Sequence, residues 1–191
     1  MRVVAGKYRS RTLQSPRGRA LRPTSDRLRE TLFSILGPAV EGSLFVDLYA
    51  GTGAVGIEAL SRGAREVVFI EKHPAAARLI QRNLRSLGIE SGAEILAVDA
   101  LRGLEQLAAP RFGKPVHADY IFVDPPYAAS DEYERTLAFL DGSRLLAPGG
   151  RVIVEHAKQL ALPERLETLE RARLVEQGDA ALSFYRLALA A

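Results

Sequence analysis

The chain has 191 residues, 47% of them hydrophobic, and no cysteine. That length suits one well-packed domain with at most a small appendage, and the missing cysteines exclude a disulfide framework or a thiolate metal site. A net charge of +3 hides an uneven distribution: residues 1–30 carry nine Lys or Arg against Asp26 and Glu30, a surplus of seven, while the remainder is net −4.

Residues 1–20 predict a short β-ribbon, Arg2–Ala5 and then around Arg11–Gln14, turning at Gly6 and loosening at Ser15-Pro16-Arg17-Gly18. A basic arm on a mildly acidic body is the footprint of polyanion binding. Its charges are mostly Arg, whose planar fork suits phosphate, and Val3, Val4, Tyr8 and Leu13 interleave them, which argues for an ordered hairpin. Lys7, Arg9, Arg11, Arg22, Arg27 and Arg29 are the candidate phosphate-binding side chains. A helix follows, with Thr24 as N-cap and Asp26 in the first turn. Leu28, Leu32, Ile35 and Leu36 give it one apolar face, and Gly37-Pro38 stops it.

From Ser43 onward, apolar runs alternate with helical stretches. The runs are Leu44–Asp47, Glu66–Glu71, Glu94–Asp99, Asp119–Asp124 and Arg151–Glu155; the helices lie near Val55–Arg62, Pro74–Leu87, Leu101–Leu107 and Glu132–Leu140. β-Branched runs alternating with helices predict a parallel sheet covered on both faces. Arg173–Glu176 and Ala181–Leu187, around Gly178-Asp179, predict an antiparallel hairpin. The expected fold is α/β and Rossmann-like, a mostly parallel seven-stranded sheet with that hairpin at its C-terminal end. A basic extension, residues 1–40, precedes a domain over 41–191.

Each of the five runs ends in a carboxylate (Asp47, Glu71, Asp99, Asp124, Glu155), and open α/β sheets bind ligands beyond the carboxyl ends of their strands. Asp47-Leu48-Tyr49-Ala50-Gly51-Thr52-Gly53-Ala54-Val55-Gly56 is a glycine-rich turn into a helix, where backbone can approach a ligand closely. Gly51-x-Gly53-x-x-Gly56, with Glu71 twenty residues beyond Gly51, also fits a dinucleotide fingerprint, so an NAD-dependent oxidoreductase is an alternative. Three residues separate Asp47 from the first glycine, and an anionic Asp47 there would repel a pyrophosphate while favouring a cationic sulfonium. S-adenosylmethionine suits the whole set: Glu71 on the ribose, Asp99 near the adenine, the Gly51/Gly53 loop along the amino-acid end. Asp124-Pro125-Pro126-Tyr127 suits a planar exocyclic amine, with the carboxylate and a carbonyl accepting its hydrogens and the ring stacking on the base. His73, His117 and His156 have no metal-ligand spacing and read as ordinary surface or junction residues.

Gly6-Lys7-Tyr8-Arg9-Ser10-Arg11, Leu21-Arg22-Pro23-Thr24 running through Arg29-Glu30-Thr31-Leu32-Phe33, the Asp47–Gly56 loop with Ile57-Glu58-Ala59-Leu60-Ser61-Arg62-Gly63-Ala64, and Phe122-Val123-Asp124-Pro125-Pro126-Tyr127 occur in that order. In these motifs, and over essentially its whole length, the chain resembles the bacterial 16S ribosomal RNA guanine-N2 methyltransferases of the RsmD type. The Arg-Pro-Thr-x-x-x-x-Arg-Glu segment narrows the match beyond class I methyltransferases in general. The resemblance implies methyl transfer from S-adenosylmethionine to guanine N2 in 16S rRNA, free or in a small subunit or its assembly intermediate. The catalytic set is then Asp124, Pro125, Pro126 and Tyr127, and the cofactor set Asp47, Ala50, Gly51, Thr52, Gly53, Glu71, Lys72, Asp99 and Ala100. A cytoplasmic monomer without metal is expected: no apolar stretch approaches the roughly 18 residues of a membrane span, and the first seven residues hold no apolar signal segment. A DNA adenine-N6 methyltransferase remains the nearest competitor, although 191 residues leave little room for a major-groove recognition domain. An RNA-binding module without catalysis is a third reading.

Overall fold

The structure, a computed structural model, describes residues 1–15, 26–110, 115–126 and 129–188. Thr24, Arg22 and Tyr127, each singled out above, lie outside them. Two compact units divide the chain, Met1–Asp99 and Ala100–Ala191.

In the first unit, α1 (Asp26–Leu36), β1 (Leu44–Leu48), α2 (Ala54–Ser61), β2 (Glu66–Ile70), α3 (Pro74–Ser86) and β3 (Ala93–Leu96) follow in order. β1 pairs in parallel with β2, and β2 with β3. All five residues of β1 and the last four of β2 are buried, as continuous apolar strands under two layers of cover must be. Phe33 of α1 stacks on Phe45 of β1 with ring centroids 6.0 Å apart. β3 ends at Leu96, three residues short of Asp99, so the run Ala97-Val98-Asp99 is loop leading to the next helix.

Within residues 1–15 the expected ribbon is reduced to one antiparallel bridge, Arg2 with Thr12, closed by Val3 N–H to the Arg11 carbonyl and Leu13 N–H to the Met1 carbonyl. Tight turns fill the space between because the segment is held from outside. Val4 and Ala5 N–H donate to the two oxygens of Glu58 on α2 (2.8 and 2.9 Å), and Lys7 N–H donates to the Ser61 carbonyl. Gly6 sits at φ 80°, where a Cβ would lie 1.9 Å from the Ser61 carbonyl oxygen, so only glycine lets the arm approach α2 this closely.

The second unit holds α4 (Ala100–Ala108), β4 (Ala118–Val123), α5 (Ser130–Gly142), β5 (Leu146–Ala157), β6 (Leu169–Gln177) and β7 (Ala180–Leu187). β4 pairs in parallel with β5, and β7 runs antiparallel to both β5 and β6, the hairpin turning at Gly178-Asp179. The β5–β7 ladder extends to Ala157, so Glu155 is a buried mid-strand residue and not a strand end. His156 is likewise buried, its ring bonded to Ser183 at 2.9 Å, which makes it a core residue where a surface or junction position was expected. Asp141 closes the approach to β6 by accepting the N–H groups of Glu167, Thr168 and Leu169.

The strand order is β3-β2-β1-β4-β5-β7-β6, a seven-stranded sheet that is mostly parallel with an antiparallel C-terminal pair. Among the described residues, no helix is long and apolar enough to cross a membrane.

Candidate active site

The glycine loop of the first unit leaves β1 at Leu48 and enters α2 at Ala54. Tyr49, Gly51 and Gly53 all have positive φ (59°, 55° and 75°), a run that needs glycine at two of the three positions. A Cβ on Gly51 would meet only the Tyr49 carbonyl oxygen, at 3.8 Å, so backbone is open on that side. Gly56 does a different job. A Cβ there would fall 2.3 Å from the Phe69 ring, so this glycine lets α2 pack against β2.

Two carboxyl groups bracket the loop. Glu71, just past β2, accepts Gly51 N–H at 2.9 Å on one oxygen and His73 N–H at 2.7 Å on the other, and so ties the loop to the end of β2. Each oxygen keeps a further lone pair for a ligand hydroxyl. Asp47 is 2% exposed and accepts Gly56 N–H at 2.8 Å. Burial pushes its pKa from 3.8 to about 8, opposed by the Gly56 bond and assisted by the nearby Glu71 carboxylate. The anionic Asp47 expected from the sequence is therefore corrected: the carboxyl is buried against α2 and holds its proton near neutrality.

Asn83 was not anticipated. It is fully buried on α3, accepts Gln14 N–H at 2.8 Å, and donates to the carbonyls of Gln14 (3.1 Å) and Thr52 (3.0 Å). One amide therefore joins the basic arm to the glycine loop. The signal was present as a lone polar residue in the apolar stripe Leu79-Ile80-Leu84 of α3.

Arg29 is a second correction. It is 0% exposed, donating to the Arg2 carbonyl at 2.6 Å and to Asp26 at 2.9 Å, with its Nε 3.6 Å from the buried Glu58. Glu58 also pairs with Arg62 at 2.8 Å. Arg29 shares the buried face of α1 with Leu32, Phe33 and Leu36, and it braces the arm from inside; its guanidinium is not offered to phosphate. Lys7, Arg9, Arg11 and Arg27 are exposed; Lys7 lies over the Tyr8 ring, and Arg11 donates to the Ser86 carbonyl at the end of α3.

Asp99 is exposed, and Ala100 opens α4. In the second unit Asp124 follows β4 directly and is partly exposed, Pro125 is buried and Pro126 exposed. The Pro126 carbonyl accepts Ala129 N–H at 2.8 Å, and the buried Tyr133 hydroxyl donates to the Pro125 carbonyl at 3.4 Å. Among the described residues no group of three or more His, Asp or Glu is placed to hold a metal ion.

The sheet order, with a glycine loop after β1, an acid after β2 and Asp-Pro-Pro after β4, defines the class I methyltransferase fold. A solved structure from Escherichia coli superimposes with a TM-score of 0.83 at 33% identity, covering 98% of this chain and 97% of that one. An RNA methyltransferase of Salinibacter ruber bound to S-adenosyl-L-homocysteine shares the fold alone, at a TM-score of 0.63 and 15% identity over 89% of this chain and 96% of that one.

Residues 1–186 match the family described as Conserved hypothetical protein 95, and the chain belongs to that family. Ribosomal RNA small subunit methyltransferase D of Haemophilus influenzae is 35% identical over 188 residues, covering 98% of this chain and 92% of the relative.

Proposed function

We propose that this chain transfers the methyl group of S-adenosylmethionine to the exocyclic N2 of a guanine in small-subunit ribosomal RNA, acting in the cytoplasm on free rRNA or an assembling subunit. The observation that carries the reading is the Asp124-Pro125-Pro126 segment directly after β4, in a chain related over 98% of its length to a ribosomal RNA small subunit methyltransferase. Residues 1–40 serve as the RNA-binding extension of a methyltransferase domain over 41–191.

The open backbone beside Gly51 and the spare lone pairs of Glu71 suit the cofactor. Asp47, Ala50, Gly51, Thr52 and Gly53 would line its amino-acid end, Glu71 and Lys72 its ribose, and Asp99 and Ala100 its adenine. When bound, S-adenosylmethionine supplies an electrophilic methyl group on a sulfonium. Guanine N2 is a poor nucleophile because its lone pair is delocalised into the ring. Asp124 and the Pro125 carbonyl accept the two amine hydrogens, which favours a pyramidal nitrogen with its lone pair free to attack. The carboxylate would also stabilise the positive charge that grows on nitrogen as the N–C bond forms and the sulfonium S–C bond breaks, and the surplus amine proton would pass to Asp124 or to water. Tyr133, bonded to the Pro125 carbonyl, keeps that acceptor aimed, and Tyr127 stacks on the extruded base. Lys7, Arg9, Arg11, Arg22 and Arg27 hold surrounding phosphates and fix the register of the RNA.

The test is methyl incorporation from labelled S-adenosylmethionine into rRNA, assembly intermediates and duplex DNA in parallel. Label in rRNA guanine supports the reading; label only in DNA adenine replaces it with the DNA enzyme. A thermal shift with NAD and none with S-adenosylmethionine would replace it with an oxidoreductase.

A further inference from the structure

We infer that the RNA-binding surface does not end with the N-terminal arm but continues along the exposed face of α3, where Arg78, Arg82 and Arg85 take phosphates of the same RNA. The inference rests on the reading of the chain as an RNA methyltransferase and adds three residues and one helix to its substrate site.

α3 spans thirteen residues, Pro74–Ser86, and contains no Asp or Glu. Arg78, Arg82 and Arg85 stand at i, i+4 and i+7, which places them on one face, and all three are exposed. From Arg78 to Arg85 the face runs on the order of 10 Å along the helix axis. Like charges at these spacings destabilise a helix, and surface helices normally intersperse acids to offset them. Here nothing on the helix does so, and among the described residues none of the three is in an ion pair. Arg62, Arg135, Arg171 and Arg186 each pair with a glutamate, whereas Arg144, Arg165 and Arg173 in the second unit are in no ion pair among the described residues; what sets α3 apart is that three such arginines share one face of one acid-free helix. An uncompensated basic face is a structural cost that an external polyanion would offset.

Continuity with the arm gives the face its direction. Arg11 donates to the Ser86 carbonyl at the C-terminal end of α3 (3.0 Å), Arg82 Nε reaches the Gln14 side chain at 3.4 Å, and Asn83 holds the Gln14 backbone from beneath. The arm and the helix are thus one continuous basic surface. At its other end, α3 begins three residues after Glu71, so the surface leads back to the glycine loop.

The test replaces all three arginines (Arg78→Gln, Arg82→Gln, Arg85→Gln), which keeps helix propensity and touches only exposed side chains. A control of equal charge change alters Arg144, Arg165 and Arg173, which are exposed in the second unit. Binding to small-subunit rRNA is measured over a salt series, together with KM and kcat for methylation and the Kd for S-adenosylmethionine. Each lost contact to single-stranded RNA lowers the slope of log K against log salt by about 0.7. The α3 variant is therefore expected to lose about 2 from that slope and to raise KM for RNA roughly tenfold or more, with kcat and the cofactor Kd within twofold of wild type. The control is expected to keep wild-type KM and slope. Equal KM and slope in wild type and the α3 variant, or an equal loss in the control, would overturn the inference alone. A wild-type protein that binds cofactor yet neither binds nor methylates RNA would overturn the underlying reading instead.

Discussion

Asp47→Asn should make the protein more stable, and increasingly so as pH rises. The carboxyl is 2% exposed, and burial lifts its pKa from 3.8 to about 8 against the bond from Gly56 N–H. An unfolded chain releases the Asp47 proton near pH 4, whereas the folded chain keeps it to about pH 8. Across that window the folded state binds one proton more than the unfolded state, so this group lowers stability as pH rises and contributes no further change above it. A tenfold change in proton affinity is about 1.4 kcal/mol, so the roughly four decades involved set a ceiling of about 6 kcal/mol. Relaxation and water penetration reduce such penalties, and about 2–3 kcal/mol is the expected yield. Asparagine keeps an oxygen for the Gly56 N–H and has no proton to lose. Urea unfolding of both proteins from pH 4.5 to 8.5 measures the difference. It should start near zero and grow to a few kcal/mol by pH 8. A difference that stays flat across the range would mean that Asp47 is ionised in the fold, and the reasoning would fail.

Other substitutions probe how the arm is held. Gly6→Ala forces a Cβ onto the Ser61 carbonyl at a φ of 80° and should cost about 3 kcal/mol in chemical denaturation, with a raised KM for RNA. Glu58→Gln removes the charge that faces Arg29 and Arg62 in a fully buried site, and about 3–5 kcal/mol should be lost by the same measurement. At Asp141, partial burial raises the pKa but is outweighed by the bonds from Thr168, Glu167 and Leu169, so the net shift is downward. Its stabilisation is present above the unfolded pKa and disappears as pH falls through the lower folded value. Asp141→Ala should cost about 1–2 kcal/mol at pH 7 and progressively less at acid pH, as read by melting curves.

Much of the fold was legible because its signals are local. The apolar runs that became β1, β2 and β4 are long enough and sufficiently β-branched to stand out, and α3 was placed to within one residue by Pro74 and its leucine spacing. The end of β3 was not legible, since Val98 continues the apolar pattern although the ladder has stopped at Leu96. Glu155 failed for the opposite reason: antiparallel pairing with β7 carries β5 past it. In the site, the glycine loop and Glu71 could be read from spacing alone. The state of Asp47 could not, because it depends on what covers it. Arg29 was misread because its charge was given more weight than its position, although 29, 32, 33 and 36 form the buried face of α1. Glu58 and Asn83 are the same lesson in reverse, polar residues inside apolar faces that hold the arm onto the body.

The central claim is tested most directly by identifying the nucleoside that carries label after under-methylated small-subunit rRNA, free or in assembly intermediates, is incubated with methyl-labelled S-adenosylmethionine and either wild type or Asp124→Ala. Digestion and mass analysis should return N2-methylguanosine at a single position with wild type, formed at least roughly a hundredfold more slowly by Asp124→Ala while cofactor binding is retained. Label on adenine, no label in any rRNA substrate, or equal rates from the two proteins would contradict the account.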